Sequence, residues 1–88
     1  MTIFNVTYDL NKNGQNYSGL YKELESTDHL HFLDSNWLIN TSETAEGLYN
    51  RLKKHLDNND NIIVIKVTKP YYGWLPQSMW DWISLRII

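Results

Sequence analysis

Between Thr2 and Leu10 every second residue is apolar: Phe4, Val6, Tyr8 and Leu10 alternate with Asn5, Thr7 and Asp9. A period of two sends the first set to one face of a strand, so the stretch predicts a β-strand with one buried face. The six residues Asn11 to Asn16, NKNGQN, are turn chemistry and end it. The period then changes. Tyr17, Leu20, Tyr21 and Leu24 recur at helical spacing behind Asn16 or Ser18 as caps, which predicts a helix over about residues 17–26.

HLHFLDSNWLIN is apolar and suited to a pleated surface, with Asp34-Ser35-Asn36 in its middle. It predicts two short strands joined at a tight turn, or one strand with a bulge. Thr41 or Ser42 then caps a second helix, with Glu43 and Glu46 in its first turn and Ala45, Leu48, Leu52 and Leu56 as its buried stripe. That helix stops at DNND. Both faces of IIVIKV are apolar, so residues 61–68 predict a central or fully covered strand. KPYYG is a turn, and Pro76 at a first helical position opens a short third helix over PQSMWDWISL; an added strand is the alternative for residues 76–88.

The order strand, helix, strand pair, helix, strand is the βαββαβ, ferredoxin-like arrangement of the α+β class. Right-handed crossovers place both helices on one face of an antiparallel sheet. The other face needs a cover, either a second copy of the chain or the tryptophan-rich C-terminal segment. Residues 1–88 are expected to form a single domain, as suits this length.

Composition narrows the functional classes. Large side chains, four Trp and six Tyr among them, supply the apolar mass of a small core. With no cysteine there is neither a disulfide framework nor a thiolate metal site, in keeping with a reducing compartment. No apolar window is long enough for a membrane span and no signal-peptide pattern opens the chain, so a cytoplasmic protein without a membrane partner is expected. A net charge of −2 argues against strong non-specific binding of nucleic acid by one copy. The basic run from Arg51 to His55 falls at a helix C-terminus, where cations offset the macrodipole and His55 caps the end.

Few side chains announce chemistry. Asp9 closes the first strand, where an aspartate either accepts N–H groups of the loop that follows or serves a site. His29 and His31 share a strand face, a spacing that pairs metal ligands, but no third ligand at clear spacing points to zinc. Tyr71, Tyr72, Trp74, Trp80 and Trp82 are core or interface material before they are base-stacking platforms, because little basic charge lies among them. There is no phosphate-binding glycine loop and no nucleophile elbow.

Four stretches together, TYDLNKNGQNYSGLY, HFLDSNWLINTS, LKKHLDNNDNIIVIKV and GWLPQSMWDWI, resemble the small bacterial proteins called SinR-like, within the CRISPR-associated "two" superfamily. That superfamily is similar to the virulence-associated D endoribonucleases. The resemblance implies a ferredoxin-like homodimer. In its nucleolytic members a Tyr-Asp pair closes the first strand near the dimer axis, and the aspartate helps hold a divalent metal; Tyr8-Asp9 matches that pair. By this resemblance Asp9 and Tyr8 are the catalytic candidates, Asp9 is the ligand for Mg²⁺ or Mn²⁺, and the implied activity is weak metal-dependent endonucleolysis of RNA or DNA. One carboxylate per chain holds a hard cation poorly, and a two-fold axis doubles it. Asn11 and Ser35 are the nearest polar candidates to add oxygens or position phosphate. The alternative implied by the same resemblance is a non-catalytic dimeric binding module, carried by a mobile element and acting on nucleic-acid machinery or a defence system through a nucleic-acid or protein partner.

Overall fold

The computed structural model describes residues 1–11 and 17–87. Seven elements follow one another: β1 (Thr2–Asp9), α1 (Ser18–Glu25), β2 (Asp28–Leu33), β3 (Asn36–Thr41), α2 (Ala45–Lys53), β4 (Asn61–Lys66) and α3 (Gln77–Arg86). The four strands form one antiparallel sheet in the order β2-β3-β1-β4. This α+β architecture is compatible with the ferredoxin-like arrangement expected from the element order, with α3 as an addition to it.

The alternation in β1 sorts its side chains between two separate cores. Phe4, Val6 and Tyr8 pack with Trp37 and Ile39 of β3 against Leu20 and Leu24 of α1 and Leu48 and Leu52 of α2. All four helix leucines are fully buried, as the helical spacing of each stripe requires. On the opposite, outer face Ile3 and Leu38 meet Ile83 of α3, with Leu30, Phe32, Tyr71, Leu75, Trp80 and Trp82 packed around them. The C-terminal segment is thus a helix, and it covers part of the outer face. Arg86 fastens it: Nε and Nη2 donate to the two carboxylate oxygens of Asp28 at 2.7 and 3.0 Å, and the guanidinium lies 4.0 Å from the Trp82 ring centre. The same guanidinium holds the Asp28 carboxyl below its ordinary range.

Several local expectations change. IIVIKV forms an edge strand, because β4 pairs with β1 alone. Ile62 and Val64 pack toward the helices, and Ile63 and Ile65 stand about half exposed on the outer face. The apolar pattern on both faces therefore marks an edge strand with two apolar surfaces rather than a central one. The cap of α2 is Thr44, whose Oγ1 accepts from the Gly47 N–H at 3.0 Å. Thr41 instead bonds Glu43 from the end of β3. Ser18 begins α1 without capping it, while Asn16 and most of the NKNGQN turn lie outside the described residues. Pro76 sits one residue before the first turn of α3, as its N-cap. The hairpin reading of HLHFLDSNWLIN holds, and the β2–β3 register also shifts between Leu30 and Leu33.

The basic run at the end of α2 is knitted into the fold. Arg51 reaches Glu43 with Nε and Nη2 at 3.1 and 2.8 Å, and Glu23 with Nη1 at 3.0 Å. His55 Nε2 lies 3.3 Å from Glu23 Oε1, so its ring faces α1 rather than the last carbonyls of α2. Gly19 makes that approach possible, since a Cβ there would come within 2.8 Å of the imidazole Nδ1. Arg51 is the main cause that lowers the carboxyl pKa values of both Glu23 and Glu43 from their ordinary 4.5. A lowered folded value means that the stabilisation is present above about 4.5 and lost as pH falls through the folded values. The stability gap between the parent and Arg51→Ala is therefore expected to be widest at neutral pH and to close on acidification, read from thermal melts across that range. A gap that does not change with pH would show that the ion pairs contribute nothing to it.

Candidate functional site

Because residues alternate along β1, neighbours Tyr8 and Asp9 point to opposite sides of the sheet. Tyr8 belongs to the helix-side core and is 6% exposed. Its hydroxyl accepts from Trp37 Nε1 at 3.0 Å and donates to the Asp34 carbonyl at 3.3 Å. Burial pushes the phenol above its ordinary value, against the opposing pull of the Trp37 bond. Tyr8 is a neutral, clamped hydroxyl that fixes the end of β1 to the β2–β3 turn.

Asp9 shares the outer-face parity of Ile3 and pairs with Asn61 of β4. Its side chain is exposed, and no described residue donates a hydrogen bond to its carboxylate. Its backbone carbonyl accepts a long 3.4 Å bond from Asn11 Nδ2. Ser35 lies across the sheet in the β2–β3 turn, with its carbonyl taking the Tyr8 N–H at 3.1 Å. Asp9, Asn11 and Ser35 therefore gather at one end of the sheet, and Tyr8 joins them through its backbone while its ring points inward.

Asn11 is committed to structure: its backbone N–H donates to Asp60 Oδ1 at 2.9 Å and its Nδ2 to the Asn59 carbonyl at 2.7 Å. Asp60 also accepts from the Tyr17 hydroxyl at 2.8 Å and from the Asp57 N–H at 2.8 Å. One carboxylate thus ties the chain after β1, the start of α1 and the α2–β4 connection together. Sequence reasoning passed over Asp60 as part of a helix stop. The signal was the Asp57-Asn-Asn-Asp60 turn, whose last carboxylate caps its first N–H. Among the described residues no three His, Cys, Asp or Glu side chains converge on a common point. Asp9 in one chain offers a single carboxylate, too little for a hard cation that prefers six or more oxygens.

A second feature of the outer face was visible in the sequence only as aromatic content. Tyr72 and Trp74, in the segment between β4 and α3, are 96% and 99% exposed. With Leu33, Phe32, Leu38 and Trp80 they border a cleft of about 450 Å³ whose lining includes no charged residue. Asn5 is in that lining, and its β4 partner is the half-exposed Ile65. The aromatic loop and the bare part of β4 are thereby neighbours on the outer face.

No family model, curated protein or solved structure matches the chain. Among the described residues no helix is long and apolar enough to cross a membrane.

Proposed function

We propose that the protein is a ferredoxin-like binding module that works as a homodimer joined through the outer face of its sheet. The observation that carries this reading is the uncharged apolar surface left beside α3. Fully exposed Tyr72 and Trp74 present on the order of 400 Å² between them. With Ile63, Ile65 and Leu33 added, the surface approaches the roughly 800 Å² per partner of a standard interface and exceeds the largest patch usual on a monomer. The cleft within that surface has no charged residue in its lining, so apolar contact rather than ion pairing joins the two copies there. Sedimentation at micromolar concentration is expected to give about twice 10.5 kDa. Ile63→Lys with Ile65→Lys, which places cations in the contact, is expected to return the monomer. A parent chain that stays monomeric at high concentration would sink the proposal.

The placement of Asp9 favours a second reading, in line with the resemblance to the CRISPR-associated "two" superfamily. Asp9 has a free carboxylate on the outer-face side of β1, the side that a second copy would meet. Two such carboxylates across a two-fold axis would hold Mg²⁺ or Mn²⁺, and that ion would supply an activated water and charge neutralisation at a phosphodiester. The chain's own part is to hold the strand end rigid, through Tyr8 and the Asp60 knot, so that the two carboxylates keep their spacing. The net charge of −2 supplies little to hold a polyanion, and any cleavage is expected to be slow and to vanish as salt rises. Asp9→Asn removes charge at nearly constant shape. It is expected to abolish metal-dependent cleavage of RNA or DNA while fold and dimer persist. Equal cleavage by parent and variant would remove Asp9 from the chemistry.

A further inference from the structure

His29 and His31 stand two residues apart on β2, so both imidazoles rise from the same face of an edge strand. They share one neighbour, the indole of Trp37. The His31 ring stacks on it at a centroid distance of 4.0 Å and an angle of 10°, and the His29 ring lies 5.5 Å away at 45°. Each ring also has one nitrogen committed. His29 Nδ1 lies 2.8 Å from the Thr27 carbonyl, and His31 Nε2 lies 3.0 Å from the Asp34 carbonyl. A carbonyl oxygen only accepts, so each of those nitrogens carries the proton. In the neutral ring the remaining nitrogen, Nε2 of His29 and Nδ1 of His31, is then a bare lone pair. No described residue donates to either of them.

This is the hydrogen-bonding state of metal-binding histidines, in which the far N–H is given to a carbonyl and the near nitrogen is left basic and oriented. Trp37 is 3% exposed and is itself held by the Tyr8 hydroxyl, so it is a fixed platform under both rings. His29 is half-buried and His31 exposed, which leaves the pair open to solvent. Both rings lie on the helix side of the sheet with Trp37, opposite the outer-face parity of Asp9, and the nitrogen donors suit softer cations than Mg²⁺.

We propose that His29 and His31 form a two-imidazole site for a late first-row transition-metal cation, with Cu²⁺ bound more tightly than Ni²⁺ or Zn²⁺ and water filling the remaining positions. The ranking follows the ordinary affinity order of nitrogen sites for these ions. The indole in contact with both rings makes a bound Cu²⁺ a quencher of Trp37 emission.

The test is a Cu²⁺ titration of the untagged full chain at neutral pH, read by tryptophan emission and by the nitrogen hyperfine pattern of the copper electron paramagnetic resonance signal. One Cu²⁺ per chain with two coordinated imidazole nitrogens is expected. His29→Phe and His31→Phe, which keep an aromatic ring beside Trp37, are each expected to weaken binding about tenfold or more. Together they are expected to abolish it, while His55→Gln leaves it unchanged. Circular dichroism confirms that each variant is folded. If His31→Phe does not fold, His29→Phe decides alone. Unchanged affinity in His29→Phe or in a folded double variant, loss of binding in His55→Gln, or no binding by the parent at micromolar copper would each overturn the site.

Discussion

Leu52→Ala is expected to lower stability by about 2 to 5 kcal/mol, and Leu48→Ala by a similar amount. Both leucines are fully buried in the core that joins α2 to β1 and β3. Truncation to alanine loses the transfer free energy of three carbons and leaves a cavity that the sheet cannot collapse to fill. The size of the loss matters for so short a chain, because small domains have only several kcal/mol of net stability to lose. Denaturant melts of both variants read it directly. A loss under about 1 kcal/mol at both positions would mean that α2 does not pack its stripe on the sheet.

Ile83→Asp is expected to release α3 from the outer face while the helix-side core survives. Ile83 is 6% exposed against Ile3 and Leu38. A carboxylate there sits among apolar neighbours, while Arg86 three residues on is already engaged with Asp28 and the Trp82 carbonyl, and an unpaired buried charge costs on the order of 3 to 5 kcal/mol. That exceeds what the Arg86–Asp28 contact is able to return, since Asp28 is substantially open to water. Hydrogen exchange is expected to show α3 amides losing protection while β1 and β3 amides keep theirs. Emission from Trp80 and Trp82 is expected to shift to the red. Equal loss of protection in every element would show that the two cores form one cooperative unit.

Much of the architecture could be read from periodicity. Phe4, Val6 and Tyr8 named the buried face of β1, and Leu20, Leu24, Leu48 and Leu52 named the helix stripes, because local alternation reports directly which side meets the core. What periodicity could not convey is which strand lies at the edge. Ile62 to Ile65 would read the same beside one neighbour or between two, and only long-range pairing with β1 decides. Caps were legible in type but misplaced by position: Thr41, Ser42 and Thr44 are equivalent on paper, and the choice of Thr44 depends on where β3 releases the chain. At the candidate site Asp9 was visible as a strand-end carboxylate. Its separation from Tyr8 followed from the same alternation that named the strand. The Asp60 knot was hidden because its partners, Asn11 and Tyr17, are more than forty positions away.

The lid on the outer face is carried by an element that follows all four strands along the chain. During synthesis the sheet can therefore be complete on its helix side, with α1 and α2 already emerged, while Ile3, Leu38 and Phe32 still face solvent. At that stage the nascent chain has one dressed surface, one bare surface and an unpaired β4 edge alongside, a combination that invites sticking between neighbouring ribosome-bound copies. That exposure ends only when the segment from Thr68 to Ile87 has emerged and Ile83 can pack on Ile3 and Leu38.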